Sequence, residues 1–206
     1  MTTIIDITTP ITPDMIVYKN KPEKKPVIRA TRTLQQGAAE SQIIIDSHCG
    51  THIDAPSHMV AEGDGLNGIA LSKLVNAPCR VIDMGSKERI TAADIDQALP
   101  KHGEFILLKT KNSLDETFNP NFAYLDATGA RSLAKAQIAG VGIDALGIER
   151  EQPDHETHLT LLKSGIVIIE GLKLGHVKPG NYQLTALPLS IPGIDGCPCR
   201  AILTQI

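Results

Sequence analysis

The stretch Ser47-His48-Cys49-Gly50-Thr51-His52-Ile53-Asp54-Ala55-Pro56-Ser57-His58 carries three of the chain's seven histidines, together with an aspartate. His48, His52, Asp54 and His58 all fall on positions of one parity. The residues before them, Gln42-Ile43-Ile44-Ile45-Asp46, form a short β-branched run of the kind that makes a buried strand. If the chain stays extended past Ser47, alternate side chains share a face. His48, His52 and Asp54 then point one way, and Gly50 leaves that face uncrowded. Imidazole and carboxylate are ligand types that first-row divalent metals prefer. The four-residue step from His48 to His52 would also place both on one side of a helix, as in His-Glu-x-x-His proteases. Gly50, Thr51, Ile53 and Pro56 are poor helix formers, however, and no glutamate follows His48. Surface decoration explains a lone histidine but not four ligand-type residues on alternate positions. A metal site is the expectation.

The chain has 206 residues, enough for one domain with a sizeable core, and residues 1–206 are expected to form a single domain. Hydrophobic residues make up 42% and charged residues 21%, an ordinary balance for a globular protein. A net charge of -3 gives no electrostatic case for nucleic acid. Aromatics are few, with three Tyr, three Phe and no Trp, which argues against stacking platforms for single strands and limits any pocket meant to grip a large aromatic ligand. Met1 to Asp6 shows no basic segment leading an apolar run, so no signal peptide is expected. Apolar runs such as Gly165 to Ile169 are too short for a membrane span, so no membrane partner is expected. The four cysteines (49, 79, 197 and 199) read as free thiols in a reducing compartment, which places the protein in the cytoplasm. Cys197-Pro198-Cys199 lacks the spacing of a zinc site and reads as packing.

Strands are expected at Thr3–Ile7, Val27–Thr33, Gln42–Asp46, Cys79–Asp83, Phe105–Lys109, Gly140–Asp144, Ile166–Glu170, Tyr182–Leu187 and Cys199–Thr204. Helices are expected at Leu66–Val75, at Thr91–Leu99 behind a capping-box signal, at Asp126–Ala136 and at Glu156–Ser164. Pro13 to Pro26 is polar, Lys-rich and bounded by prolines, and reads as a loop or flap. Strand and helix alternate in the middle while both ends are strand-rich, so the fold class is α/β with a mixed sheet. No Gly-x-Gly-x-x-Gly fingerprint or P-loop is present, and nothing supports nucleotide binding.

A catalytic metal needs ligands on more than one side. Glu170 ends the apolar run Ile166 to Ile169, where a carboxylate is costly unless paired or bound to a cation. It can equally open an exposed loop. His158 lies on an expected helix facing Leu161 and Leu162, where a lone histidine is commonly a packed residue. Position alone settles neither.

These residues carry a resemblance. His48-Cys49-Gly50-Thr51-His52-Ile53-Asp54-Ala55-Pro56-Ser57-His58 resembles the His-x-Gly-Thr-His-x-Asp-x-Pro-x-His signature of the cyclase family of metal-dependent hydrolases, which includes bacterial kynurenine formamidase and isatin hydrolase. Val141-Gly142-Ile143-Asp144, His158 to Leu162, Gly165 to Leu172, Leu187-Pro188-Leu189 and Asp195 to Ala201 resemble further family segments. The resemblance implies a β/β/α fold of swivelling type and two divalent metal ions, zinc or manganese. It also implies His48, His52 and Asp54 at a first metal, and His158 at a second that Asp54 and Glu170 bridge to the first. His58 falls at the family's general acid/base position. A homodimer or homotetramer is implied too, acting on a small-molecule amide. His102, His155 and His176 match no motif and read as surface or structural.

The chain departs from the family where substrate is concerned. Cys49 stands beside the ligands where an uncharged residue such as Thr is common, and strand parity points it away from the metals, into packing. The formamidase-type Trp and Pro-Gly-Asp-like turn are replaced by Met15 to Asn20, and Lys109 to Ser113 lacks the usual Gly and Trp. Three functions follow: a two-metal amidohydrolase of a formamide, lactam or cyclic amide, an arylformamidase acting on N-formylkynurenine in tryptophan breakdown, or a metal-binding protein without catalysis.

Overall fold

The computed structural model describes residues 3–205, so Met1 and Thr2 of the N-terminal reading lie outside the described residues. Its strands are β1 Ile4–Asp6, β2 Val27–Arg32, β3 Glu40–Ile44, β4 His52–Asp54, β5 Ala77–Asp83, β6 Arg89–Ile90, β7 Phe105–Lys109, β8 Tyr124–Leu125, β9 Gly140–Ile143, β10 Val167–Glu170, β11 Gly180–Pro188 and β12 Gly196–Gln205. Helices are α1 Ala92–Ala98, α2 Ala127–Lys135 and α3 Glu156–Lys163. The expected Thr91 capping box forms at α1, and Asp126 caps α2 by accepting from the Gly129 N–H. The expected helix over Leu66–Val75 is instead two 3-10 turns, Leu66–Gly68 and Leu71–Lys73, a segment broken by Gly68.

The main sheet has the order β1-β12-β11-β5-β7-β9-β10-β4, and β12 pairs again with β4. With β1 set aside as an appendage on β12, the other strands therefore close on themselves. The pairs β5–β7, β7–β9 and β9–β10 are parallel, while β11, β12, β4 and β1 pair antiparallel, so the expected mixed-sheet α/β class holds. Alternation along each strand sorts side chains between two cores. Phe105 and Leu107 join Ile53, Ile169, Leu184 and Leu203 inside the closed sheet. Ile106 and Leu108 join Val141, Ile143 and Ile168 on the outer face, under Leu133, Leu161 and the other apolar residues of the helices. Strands buried on both sides need continuous apolar sequence, and Phe105-Ile106-Leu107-Leu108 supplies it.

Two expectations change here. β2 and β3 form a separate two-stranded sheet whose every residue is exposed, so the β-branched run before the histidines is a projecting hairpin, not a buried strand. Nor does the chain stay extended past Ser47. It turns, and Gly50 takes a φ of +62°, a left-handed conformation that glycine reaches without steric cost. Parity therefore holds for His52 and Asp54 on β4 and fails for His48, which arrives from the turn.

The turn is locked to the end of β10. Thr51 Oγ1 and Thr9 Oγ1 both donate to the Gly171 carbonyl, at 2.6 and 2.7 Å, and the Thr9 N–H donates to Thr51 Oγ1 at 2.8 Å. Gly171 has φ +65°, and a Cβ there would collide with the Gly50 carbonyl. Gly171→Ala should therefore destabilise the protein by about 3 kcal/mol, summing left-handed strain with overpacking. Urea unfolding checks this, and a loss under about 0.5 kcal/mol would show that the two turns do not depend on each other's close approach.

Candidate metal centre

β4 and β10 run antiparallel with Glu170 opposite His52 and Ile168 opposite Asp54. Ile53 and Ile169 point into the inner core, so His52, Asp54 and Glu170 project together from the outer face. α3 lies over that face and brings His158. Four residues from three elements thus converge, each at most 5% exposed. The pairing answers the question that position left open: Glu170 is buried and directed at the histidines, and His158 packs beside it rather than only against leucines.

His52 Nδ1 donates to the Gly50 carbonyl at 2.9 Å, which fixes Nε2 as the free nitrogen. That atom lies 3.5 Å from both Asp54 Oδ1 and Glu170 Oε2. His158 Nε2 lies 3.2 Å from Glu170 Oε1 and 3.6 Å from Asp54 Oδ2. His48 Nδ1 approaches Asp54 Oδ1 at 2.9 Å, and its Nε2 approaches Asp195 Oδ2 at 3.0 Å. The His58 ring stacks at a tilt on His48, with centroids 4.0 Å apart, and its Nδ1 is 3.9 Å from Asp195. All six residues singled out from the sequence, His48, His52, Asp54, His58, His158 and Glu170, are therefore in one place.

The donor set fits a divalent cation. His52 Nε2 and Asp54 Oδ2 are buried without a hydrogen-bond partner, although both face other donors of the cluster. Buried polar atoms are nearly always paired, so such orphans call for an explanation. His52, Asp54 and Glu170 offer ligand atoms within 4.8 Å of one another, as do His48, Asp54 and His58. Asp54 is common to both groups, the position a bridging carboxylate would hold.

Electrostatics separates the imidazoles. Burial opposes charge on His48, but the adjoining Asp54 and Asp195 carboxylates outweigh it and hold its pKa up at about 9. His52 and His158 are raised in the same way by Glu170 and Asp54 against their burial. Asp54 is held well below the carboxylate range despite complete burial, by His158, His48 and His52, and Glu170 is brought down to about 2. Of these imidazoles His58 alone moves down, because burial and the neighbouring His48 and His158 outweigh the Asp54 and Glu170 carboxylates.

A cavity of about 880 Å³ opens onto His48, His58, His158 and Glu170. The Pro13–Pro26 segment supplies Ile16 to Lys19 and Lys24 to its wall, consistent with its reading as a flap. Tyr18, Phe118 and Phe122 line the cavity in edge and tilted contacts, with centroids 5.4 and 6.4 Å apart. Half of the six aromatics stand at this one wall, so their scarcity does not leave the pocket without aromatic surface. Arg150 also lines it, held by the Phe122 carbonyl and the Tyr124 ring. Cys49 packs against Met15 and Val17, its Sγ 3.6 Å from Met15 Sδ, in the packing role expected of it. Cys197 and Cys199 are buried in the inner core.

Two participants were missed from the sequence. Asp195 sits on His48, and Glu149 sits beneath His158 with its Oε1 3.2 Å from Nδ1. Neither has a local spacing signal, since each meets its histidine only through the tertiary fold.

The family description "putative cyclase" matches residues 5–150. A kynurenine formamidase of Salinibacter ruber is 32% identical, the alignment covering 97% of this chain and 96% of the relative. One from Geobacillus thermodenitrificans is 36% identical over 80% of this chain and 79% of the relative. Among solved structures, a predicted metal-dependent hydrolase from Bacillus stearothermophilus superposes with a TM-score of 0.90 at 45% identity, covering 99% and 98% of the two chains. Isatin hydrolase A of Labrenzia aggregata shares the fold, with a TM-score of 0.83 at 22% identity over 98% and 93%. With the signature histidines, the closed mixed sheet and these likenesses in agreement, the chain belongs to the cyclase family of metal-dependent hydrolases.

Proposed function

We propose that the protein is a metal-dependent hydrolase that cleaves the C–N bond of a small non-peptide amide, whether formamide, lactam or cyclic amide. The observation that carries this is the buried convergence of His52, Asp54, Glu170 and His158, with orphaned ligand atoms, at the wall of a large cavity. A purely structural metal site is coordinatively closed, whereas a catalytic one keeps an open position. Access from the cavity favours catalysis over a metal-binding role alone.

In this reading His48, His52 and Asp54 would hold one divalent ion and His158 a second, with Asp54 and Glu170 placed to serve both. Zinc is the first candidate and manganese the second, since mixed imidazole and carboxylate donors suit both. Such ions lower the pKa of water and polarise a carbonyl oxygen. Gly50 sets the tautomer of His52, and Asp195 steadies His48. His58 faces the cavity as a neutral imidazole, free to take a proton from water and give it to the departing nitrogen. The aromatic wall of Tyr18, Phe118 and Phe122 supports a planar substrate. It also gives a second reading, hydrolysis of N-formylkynurenine, a specific footing alongside the kynurenine formamidases among the relatives.

We further read residues 1–206 as one domain, because β1 and β12 from opposite ends of the chain pair with each other. The four buried free thiols favour a reducing cytoplasm, and no helix among the described residues is long and apolar enough to cross a membrane. The β2–β3 hairpin exposes Val27, Ile28, Ile43 and Ile44, which supports a homodimer or homotetramer built through it, since isolated hairpins are marginally stable.

Adding Zn²⁺ or Mn²⁺ to chelator-treated protein at a hundred times its Kd should stabilise it by about 2.7 kcal/mol. Asp54→Asn should erase that rise in thermal midpoint, and an unmoved wild-type midpoint would remove the metal centre. His58→Ala should keep the metal and lose about 10²–10⁴-fold in kcat on whichever of N-formylkynurenine, isatin or related cyclic amides the wild type hydrolyses. Near-wild-type turnover would take the proton-transfer role from His58. Replacing the facing pair Ile28 and Ile43 by Asp should convert an oligomer to a monomer in sedimentation with its circular dichroism intact, and a monomeric wild type would refute association.

A further inference from the structure

The loop between β9 and α3 touches both late contributors to the metal centre from behind. The Ile148 N–H donates to Glu170 Oε1 at 2.6 Å. The next residue, Glu149, puts its carboxylate under His158: Oε2 accepts from the His158 backbone N–H at 3.2 Å, and Oε1 lies 3.2 Å from the ring's Nδ1. The other ring nitrogen, Nε2, faces Asp54 and Glu170. Glu149 is only 8% exposed, and it belongs to none of the groups of ligand atoms that surround Asp54. Its one further partner is His155, whose Nδ1 contacts the same Oε1 from the solvent side. His155 occupies the N-cap position of α3 with φ +49°, a conformation that costs a non-glycine residue energy and persists where surroundings enforce it.

We infer that Glu149 is the positioning residue for His158: its carboxylate is placed to accept from Nδ1–H, which keeps the proton on Nδ1, leaves Nε2 bare and aims that nitrogen between Asp54 and Glu170, with His155 seating the carboxylate. The chemistry is general. A histidine that gives one nitrogen to a metal needs a partner for the other, and a carboxylate there both orients the ring and makes it a stronger donor. The Nδ1 contact is close but not aligned as a hydrogen bond, so Nδ1 counts among the buried unpartnered atoms. Among the described residues, Glu149 is the only carboxylate in ion-pair range of that nitrogen. His155, with a side chain 60% exposed, contributes through Glu149 alone.

This inference rests on the metal-centre reading above, and the test separates the two. Zn²⁺ or Mn²⁺ affinity of the purified protein is measured by competition with a chromophoric chelator for wild type, Glu149→Ala, Glu149→Gln, His155→Ala, His158→Ala and the Glu149→Ala/His158→Ala double variant. Glu149→Ala should weaken one binding event by about 10–100-fold. Glu149→Gln, whose amide oxygen still accepts from Nδ1, should recover most of that loss, and His155→Ala should cost about threefold or less, as the removal of an exposed partner. The double variant should bind no more weakly than His158→Ala, because a residue that acts through His158 has nothing to act on once it is gone. Wild-type affinity in Glu149→Ala, or a further loss in the double variant, would overturn the positioning role while leaving the metal centre intact. A wild-type protein that binds neither ion would overturn both.

Discussion

The antiparallel register of β4 against β10 is the constraint on which the rest depends. Glu170 faces His52 and Ile169 faces Ile53 across this pair, joining positions more than a hundred residues apart in the chain. Strand side chains alternate with a period of two, so a slip of one residue would send Ile53 and Ile169 out of the inner core and the carboxylates into it. Core and site are thus specified by one set of backbone hydrogen bonds. The Gly171 carbonyl, gripped by Thr51 and Thr9, marks the end of that register and stops the ladder from sliding.

Geometry of this kind is costly without charge compensation. Asp54 and Glu170 are buried side by side, and in isolation their repulsion and desolvation would drive one of them to accept a proton. The surrounding imidazoles prevent it: Asp54 stays far below its usual range, while His48, His52 and His158 are held above theirs. Protons on histidines and divalent cations are alternative sources of the same positive charge, and only the second leaves imidazole nitrogens free to ligate. His58 lies outside this exchange. Its pKa falls, so it keeps a neutral ring beside a cluster whose other histidines are committed to carboxylates.

The sequence disclosed the site better than it disclosed the surfaces around it. Ligand-type residues at short spacing are a local pattern, and His52 and Asp54 obey the strand parity read from them. His48 reaches the same place by another route, because the left-handed turn at Gly50 breaks the extended run that parity assumed. Ile43-Ile44-Ile45 misled for a different reason: an apolar β-branched run reads the same in a covered strand and in a projecting hairpin, and only the tertiary fold decides what lies against it. Asp195, although it opens a segment that resembles the family, and Glu149 could not be assigned to their histidines, because those partners are set by loop packing rather than by period. Composition likewise says how many rings there are and nothing about Tyr18, Phe118 and Phe122 meeting at one wall.

Along the outer face of the sheet, Ile106, Leu108, Val141 and Ile168 are covered by the helices in the ordinary way. Beyond Ile168 that pattern changes, and the same face carries Glu170, His52 and Asp54 beneath His158. Folding alone would be served as well by apolar residues there, because replacing a buried ionic group by well-packed hydrophobic side chains is often neutral or stabilising by about 1–4 kcal/mol. A fold that violates its own pattern at one place, with each violation aimed at a common point, has been shaped there by something other than stability. The large cavity opens at that same point: His158 and Glu170 line it, and His52 and Asp54 lie buried directly behind them, at the end of a sheet whose pairing holds His52, Asp54 and Glu170 in register.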